Sequence, residues 1–292
     1  MLVATLLFTA LSWMIPVVRT PIHPRHQHTI PTSPPINQTP SPTPLSFSPL
    51  ARPQSKRIFH ILTTLITLIA TLSYFSMATS HAVLYHHTVV HTPVSHAPIR
   101  LTHDIYRQVF WAHYVDWALS TPLVLLDLAL LAGLSGAHTL LAVVADVVMV
   151  LCGLFAALGQ HGTGQRWGWF AFACVAFLAV VWQLVVNGRR VAVARGGDAG
   201  RFYQALAAYT VVVWLAYPII WGVVSGSRRL SVDGEVIAYG VLDVLAKVVF
   251  GAVLLGAHMV TPELGVEVGG FWANGLNKEG MVRLPEEQEN GG

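Results

Sequence analysis

The stretch "GVLDVLAKVVFGAVLLGAHMV", residues 240–260, decides the class of fold. It is apolar and long enough to cross a ~30 Å hydrocarbon core, which takes roughly 17 to 25 helical residues. It nevertheless carries Asp243 and Lys247, four residues apart and therefore on one helix face. A charge at bilayer depth costs at least ~2.5 kcal/mol, so an ionisable residue that faces the protein interior there is a functional candidate. We therefore expect a membrane helix with a functional amine and acid.

The composition of the chain also indicates a membrane protein. Of its 292 residues, 54% are hydrophobic and 11% are charged, and the mean hydropathy is +0.57. This balance is typical of a polytopic protein surrounded by membrane lipid. The formal charge of +3 is too small to indicate a nucleic-acid surface, so no nucleic-acid partner is expected. Cys152 and Cys174 fall inside apolar runs, where a thiol usually acts as a packing residue.

Apolar runs predict the number of membrane helices. Six runs of sufficient length follow residue 56, near 57–79, 104–132, 138–160, 166–188, 203–226 and 235–260. An earlier run, 2–18, is only just long enough. If it is counted, the fold class is an all-α membrane protein, a bundle of seven transmembrane helices with a short first helix. A signal peptide is the alternative for this run, but it lacks a positive n-region and a clear cleavage site.

The remaining segments define the domain organisation. Residues 1–18 form the predicted first helix, and 19–56 is a Pro, Ser and Thr-rich linker expected to be disordered. A wrong gene model would also explain this composition. Residues 57–260 form a six-helix body, and 261–292 form a tail.

Basic residues predict the orientation, because Lys and Arg are retained on the cytoplasmic side. They concentrate in the linker and in a predicted loop, 189–202, which lie on one side of a seven-helix bundle. We therefore expect an integral protein of the plasma membrane, with its N-terminus outside and its C-terminus in the cytoplasm. Arg228 and Arg229 fall on the outer side, which weakens the bias without reversing it.

Three further acids lie inside the predicted spans. Asp116 and Asp127 are eleven residues apart and share one helix face at ~16 Å separation. A structural salt bridge would explain an isolated Asp and Lys pair, but the spans hold no second basic partner for Asp127. We expect Asp127 to be neutral because it is desolvated, and a neutral buried acid can store a proton. Asp146 is expected to be a neutral acid that bonds to a neighbouring helix.

The lysine has chemistry of its own. A desolvated amine commonly forms a Schiff base with an aldehyde. Residues from the same segments as the acids could line a long, flat, apolar slot, although aromatic residues at helical spacing are more often packing residues. They are Tyr114, Trp117, Gly153, Trp214, Tyr217 and Trp221.

These residues resemble a known family, the microbial (type 1) rhodopsins, and most closely the fungal ones. "YVDWALSTPLVLLDLALL" (114–131), "WLAYPIIWG" (214–222) and "GVLDVLAKVVFG" (240–251) resemble the third, sixth and seventh helix motifs of that family. "RIFHILTTLITLIATLSYFSMA" (57–78) and "RWGWFAFAC" (166–174) add to the likeness, which runs from about residue 57 to 260. The resemblance implies a light-driven proton pump like bacteriorhodopsin, with retinal and protons as partners, and not an enzyme. A homo-oligomer is compatible with it.

The resemblance also implies roles for individual residues. Lys247 would carry all-trans-retinal as a protonated Schiff base, with Asp116 and Asp243 as counterions. Asp127 falls on the cytoplasmic proton-donor position, and Thr63 is its expected hydrogen-bond partner. The remaining implied residues are Glu235 at an outer proton-release position and the pocket residues Tyr114, Trp117, Ser120, Thr121, Val124, Met149, Gly153, Phe170, Trp214, Tyr217, Pro218 and Trp221.

Two departures from the family pattern concern the outer side. His113 stands where the family has an arginine, one turn before Asp116. Ser225 or Gly226 stands where a second release acid is expected, so proton release is predicted to be late or unpaired.

Other functions remain open at this point. A slow photosensory rhodopsin with little net transport is the main alternative, but such a sensor has little use for a donor acid at Asp127. A structural relative without a pigment would not need Lys247. The outer-loop histidines lack regular ligand spacing and supporting acids, so no metal site is expected at His81, His86, His87, His91, His96 and His103.

The histidine at position 113 gives a testable prediction. Arginine stays charged at every relevant pH, whereas histidine titrates near neutrality. We predict that the colour of the pigment changes with pH closer to neutrality than in an arginine-bearing relative. His113→Arg should move the transition away from neutrality in a visible-absorbance titration. An unchanged titration would show that His113 is a packing residue without this control.

Overall fold

The computed structural model describes residues 58–93, 100–160, 163–227, 229 and 231–260. Within these residues, six helices are long and apolar enough to cross a membrane: α1 Ile58–Ala78, α2 Trp111–Ala132, α3 Gly136–Leu158, α4 Gly164–Arg195, α5 Gly197–Gly226 and α6 Val232–Met259. The predicted first helix, the linker and the tail lie outside the described residues.

A β-hairpin connects α1 to α2. Strands β1 (Leu84–Pro93) and β2 (Arg100–Val109) pair antiparallel, with Leu84 opposite Val109. The prediction that the second described helix begins at 104 was therefore wrong, because residues 100–109 pair with β1 and the helix begins at Trp111. β-branched residues such as those in "HTVVHT" favour a strand over a helix. The end of the bundle that carries this hairpin is called the hairpin end.

The opposite end of the bundle contains a sharp turn between two long helices. The predicted loop 189–202 was wrong, since α4 continues to Arg195 and α5 begins at Gly197. Gly196 and Gly197 have φ of +66° and +65°, which residues with a side chain rarely adopt, so two residues suffice to reverse the chain. The exposed arginines at this junction define what is called the arginine end: Arg189, Arg190, Arg195 and Arg201.

Wide π-helical turns interrupt three of the helices. They occur at Gln183–Gly188 in α4, Gly222–Gly226 in α5 and Val244–Val249 in α6. Such turns insert a residue into the helix, change the direction of the side chains that follow, and are frequent at functional sites. The turn in α6 contains Lys247, so the local geometry of the helix helps to direct this amine.

The exterior of the bundle is apolar, and its interior holds the polar groups. Large hydrophobic side chains are exposed on the faces of the helices, among them Leu72, Phe172, Val212 and Ile237. This pattern fits a protein whose outer surface faces lipid. Lipid offers no hydrogen-bond partners, so polar side chains must find theirs on neighbouring helices inside the bundle. The ionisable side chains that are fully or almost fully buried are His113, Asp116, Asp127, Asp146, Arg166, Asp243 and Lys247.

The packing of α4 against α5 gives a second prediction. A Cβ atom added at Gly200 would lie 2.4 Å from the backbone oxygen of Ala192, and backbone atoms cannot move aside easily. We expect Gly200→Ala to lower the free energy of unfolding by about 1–3 kcal/mol, as overpacking does. The measurement is thermal unfolding in detergent.

Gly256→Ala is the matched control, because no atom lies within 4 Å of its added Cβ. Alanine is favoured over glycine in a helix by about 1 kcal/mol, so this variant should unfold at an equal or higher temperature. Equal stability of the two variants would contradict the close approach of α4 and α5.

Candidate functional site

The centre of the site is the buried amine of Lys247, which is 2% exposed. Its Nζ atom donates a hydrogen bond to Oδ2 of Asp116 on α2 and lies 3.3 Å from Oδ1 of Asp243. The structure thus brings together the amine and the two acids that the sequence singled out. Removing one partner of a buried ion pair leaves an uncompensated charge, so these three groups constrain one another strongly.

The two acids have different surroundings. Asp243 accepts hydrogen bonds from Tyr74 (2.7 Å), Trp117 (3.0 Å) and Tyr217 (2.8 Å), which come from α1, α2 and α5. Among the described residues, the Oδ1 atom of Asp116 has no hydrogen-bond partner. Asp243 is therefore the more fully hydrogen-bonded of the two acids, whereas Asp116 is held mainly by the Lys247 amine.

Tyr74 is a site residue that the sequence analysis missed. It lies in the quoted motif 57–78, eleven residues after Thr63 and therefore on the same face of α1. That spacing was a usable signal, but nothing in the sequence showed that this face meets Asp243.

His113 occupies the position where an arginine was expected. Its ring stacks on Trp117, with centroids 5.5 Å apart, and its Nδ1 atom lies 3.9 Å from Asp243 Oδ2. Neither ring nitrogen has a hydrogen-bond partner within the described part of the chain. The carboxylate that this histidine approaches is thus Asp243, and its control of the colour stays a prediction.

A cavity extends from the amine of Lys247 between the helices, and aromatic and apolar side chains form most of its lining. Predicted pocket residues that line it are Tyr114, Trp117, Thr121, Val124, Met149, Gly153, Phe170, Trp214, Tyr217, Pro218 and Trp221.

Ser120 differs from this prediction. It is fully buried on the helix turn that follows Asp116, but it is not among the residues that line the cavity.

Sequence analysis missed several lining residues, since side chains of these types carry no chemical signal that separates a cavity wall from ordinary packing. They are Val150, Ala173, Cys174, Phe177, Tyr239 and Ala246.

The walls of the cavity are flat and aromatic. The rings of Phe170 and Trp221 stack with centroids 4.4 Å apart, and Trp221 donates a hydrogen bond of 3.2 Å to the hydroxyl of Tyr114. Gly153 of α3 lines the cavity, and a Cβ atom there would make only an ordinary contact of 3.5 Å with the ring of Tyr114, so a small side chain would fit but a large one would enter the cavity. The arrangement suits an elongated, flat, apolar molecule that ends at the amine.

Asp127 lies on α2 toward the arginine end, in an apolar environment. It is fully buried, and within the described residues neither of its carboxyl oxygens has a hydrogen-bond partner. The structure shows no hydrogen bond between Asp127 and Thr63, whose hydroxyl is also buried without a partner in the described chain, so their pairing stays a prediction. A charge at this place would be uncompensated, which agrees with the expectation that Asp127 is neutral, and its protonation state stays a prediction.

Asp146 on α3 has the bond to a neighbouring helix that was predicted for it. Its Oδ2 atom accepts a hydrogen bond of 2.6 Å from Thr121 on α2. This bond ties α3 to the helix that carries Asp116 and Asp127.

Glu235 on α6 marks the hairpin end of the site. It accepts a hydrogen bond of 3.0 Å from Arg107 of β2 and a longer one, 3.4 Å, from the hydroxyl of Ser225. The hydroxyl of Ser225 therefore occupies the position where a second proton-release acid was expected. Sequence analysis missed Arg107, because it is 128 residues away from its partner and lies on a hairpin that was not predicted.

No metal site was expected, and the described residues contain no group of three or more His, Cys, Asp or Glu that could hold an ion. His81 and His87 of the outer segment are exposed. The side chains of the remaining histidines of that segment lie outside the described part of the structure: His86, His91, His96 and His103.

Comparisons with known proteins agree with this geometry. Residues 47–261 match the sequence profile of the family described as Bacteriorhodopsin-like protein. Opsin-1 of Neurospora crassa is 51% identical over 236 residues, which are 80% of this chain and 77% of the relative. Opsin-like protein carO of Fusarium fujikuroi is 40% identical over 212 residues, which are 72% of this chain and 66% of the relative.

Solved structures give the same result. The light-driven proton pump from Leptosphaeria maculans shares 47% identity and a TM-score of 0.68, and the match covers 90% of this chain and 91% of that one. Halorhodopsin, a light-driven chloride pump, shares 27% identity and a TM-score of 0.63 over 90% and 91% of the two chains.

The chain belongs to the bacteriorhodopsin-like family of microbial rhodopsins. It is an integral membrane protein of the seven-helix rhodopsin fold, and membership of this family implies a retinal chromophore. Its relatives are opsins and light-driven pumps, so its class is that of transporters and photoreceptors rather than of enzymes. The cavity fits that chromophore, since its flat apolar walls lead to a single buried amine.

The open space at Gly153 gives a third prediction. We expect Gly153→Phe to fill the cavity and to abolish the visible absorbance band that forms when retinal is added. Gly153→Ala is the matched control, because its Cβ atom would make only an ordinary contact at 3.5 Å and the band should form. Circular dichroism of both variants checks that the helices are intact. A normal band in Gly153→Phe would show that the chromophore lies elsewhere.

Proposed function

We propose that the protein is a light-driven outward proton pump that carries all-trans-retinal as a Schiff base on Lys247. One observation carries this proposal: the buried amine donates a hydrogen bond to Asp116, and a second buried acid, Asp127, lies about three turns further along the same face of α2. Asp127 lies toward the arginine end and has no hydrogen-bond partner among the described residues. Similarity to the light-driven proton pump of Leptosphaeria maculans supports it.

The cavity residues would hold the chromophore. Trp117, Trp214 and Tyr217 line the cavity and would contact the chromophore, and the lining offers few polar groups to water. When bound, retinal supplies light absorption and an isomerisation that changes the environment of the Lys247 nitrogen. The protein side chains decide where the proton on that nitrogen goes.

The difference between the two carboxylates selects the proton acceptor. Asp243 uses both oxygens to accept hydrogen bonds from three side-chain donors, which stabilise its charged form. Asp116 is held by the Lys247 Nζ atom and has one free oxygen. In this proposal Asp116 takes the proton from Nζ, and Asp243 stays charged throughout.

Asp127 is the proposed source of the proton that returns to the nitrogen. It lies ~16 Å along α2 from Asp116, on the other side of the amine. Because basic residues favour the cytoplasmic side, we assign the arginine end to the cytoplasm and the hairpin end to the outside. A proton that enters through Asp127 and leaves past Asp116 then moves outward. Asp127, with Thr63 beside it, is thus the proposed donor.

In this proposal the protein lies in the plasma membrane, with its N-terminus outside and its C-terminus in the cytoplasm. The run 2–18 supplies the first helix of the seven in this proposal, followed by the linker 19–56, the helical body 57–260 and the tail 261–292.

Two other functions of the family are less well supported. A chloride pump needs room for an anion beside the amine, whereas here the Asp116 carboxylate binds Nζ directly and would repel a halide. A slow photosensor does not need a neutral donor such as Asp127, because that residue serves to make the recovery fast.

Light-driven acidification tests the proposal. Cells that express the protein and receive retinal should acidify their medium in light, and a protonophore should abolish the effect. Lys247→Ala should remove both the visible band and the acidification. Asp127→Asn should keep the colour but slow reprotonation of the Lys247 nitrogen by roughly 100-fold, the usual size of a lost general-acid contribution.

Asp198→Asn is the matched control for Asp127→Asn, because this acid is 65% exposed near the arginine end and pairs only with Arg201 in the described structure. It should change neither colour nor rate. Colour without acidification would favour the photosensor, and a colourless protein in excess retinal would exclude a pigment of any kind.

A further inference from the structure

A cluster of charged side chains at the hairpin end lies outside the amine site. Glu235, whose side chain is 10% exposed, pairs with Arg107 at 3.0 Å, and the guanidinium of Arg107 also reaches the backbone oxygen of Val224 at 3.4 Å. Because the hairpin connects α1 to α2, this pair ties an outer connection of the bundle to α6 and α5. Charges that are this little exposed are screened weakly by water.

Side chains from two neighbouring elements contact Glu235: Arg107 comes from β2 and Ser225 from α5. Tyr114 of α2 and Arg166 of α4 are close enough to interact with its charge. Arg166 donates hydrogen bonds to the backbone oxygens of Ser225 and Gly159, not to Glu235 itself. The guanidinium of Arg107 is thus the positive group in direct contact with this carboxylate, and an adjacent opposite charge offsets the cost of burying the charged form.

One face of α6 connects this cluster to the amine. Glu235, Tyr239 and Asp243 follow one another at intervals of four residues, so they lie in a row with a step of ~6 Å. The hydroxyl of Tyr239 is buried and has no hydrogen-bond partner within the described residues. A tyrosine hydroxyl both donates and accepts hydrogen bonds, so it can relay a proton along this row.

The ring of Tyr239 also contacts the residues around the counterions. Its centroid lies 5.5 Å from that of His113 and 5.1 Å from that of Trp117. The row therefore begins next to the carboxylates that hold the Lys247 amine and ends at the ion pair of the hairpin.

We propose that Arg107 is a positioning residue for proton exit: it holds Glu235 as a carboxylate at the outer end of a path that passes Tyr239. Glu235 then starts each cycle without a proton and receives the one that leaves Asp116. The O–H bond of the Asp116 acid breaks, an O–H bond forms on Glu235, and the proton passes from Glu235 to water outside. Release into the medium is therefore late, because it follows the loss of the proton from Asp116.

This inference rests on the proposed pumping function, and it gives the hairpin a role in that function. Where the family has an arginine near Asp116, this chain has His113. A permanent positive charge on the outer side is instead that of Arg107, which lies beside Glu235. Without Arg107, a buried Glu235 carboxylate loses a partner of opposite charge and is expected to start protonated. It could then release its own proton early.

The test compares Arg107→Gln with the unaltered pigment. Flash-induced release is followed with a pH-indicator dye, and the protonation of the Lys247 nitrogen is followed by visible absorbance. The unaltered protein should release its proton only after that nitrogen has been reprotonated, whereas Arg107→Gln should release it before. Unchanged order of these two events in Arg107→Gln would overturn the proposal.

Infrared spectroscopy in the dark provides a readout that does not depend on pumping. Arg107→Gln should show a carboxylic acid C=O band that disappears in Arg107→Gln/Glu235→Gln, and the unaltered protein should lack it. If no variant pumps but this band behaves as described, the pairing stands and the pumping function fails. If acidification is normal but the band is missing from Arg107→Gln, the role of Arg107 fails and the pump stands.

Two variants serve as controls. Arg107→Lys keeps a positive charge and should restore late release, which a purely structural role of the guanidinium would not predict. Arg201→Gln removes an exposed arginine that pairs with Asp198, and it should leave the order of events unchanged. If Arg107→Gln yields no pigment, the double variant should recover it by removing the uncompensated acid. Failure of that recovery would also overturn the proposal.

Discussion

The structure depends on the ammonium group of Lys247 and the two carboxylates that surround it. In a bundle that faces lipid, no other solvent is available for these charges, so α2 and α6 must meet where Asp116 and Lys247 touch. The donors to Asp243 extend the constraint to α1 and α5. One ion cluster thus fixes the relative positions of four helices and, with them, the end of the cavity.

Three aspartates near this cluster have different hydrogen-bonding environments. Asp243 accepts three hydrogen bonds from side chains, Asp116 accepts a hydrogen bond from the amine through one oxygen, and Asp127 has no hydrogen-bond partner in the described structure. Hydrogen bonds and desolvation act on the charge of a carboxylate in opposite directions. The proposed direction of transport follows from this difference and not from the identity of the residues.

Much of the site could be predicted because it is built from residues that are unusual in their segments. An acid and an amine in an apolar run stand out in any sequence, and the aromatic residues around them match a family motif. Arg107 and Tyr74 could not be assigned in this way, since arginine in an outer connection and tyrosine in a membrane helix are both ordinary. Their partners, Glu235 and Asp243, lie 128 and 169 residues along the chain.

The sequence by itself determined the membrane environment, the positions of the six described helices to within a few residues at most of their ends, and Lys247 as an amine inside a membrane span. These features depend on local composition and helical periodicity, which any short window of sequence contains. Only the tertiary structure decided which carboxylate is saturated, that a hairpin replaces the start of a helix, and that Arg107 reaches Glu235. Those outcomes depend on contacts between distant segments, because a hydrogen bond or an ion pair exists only when packing brings its two partners within about 3 Å.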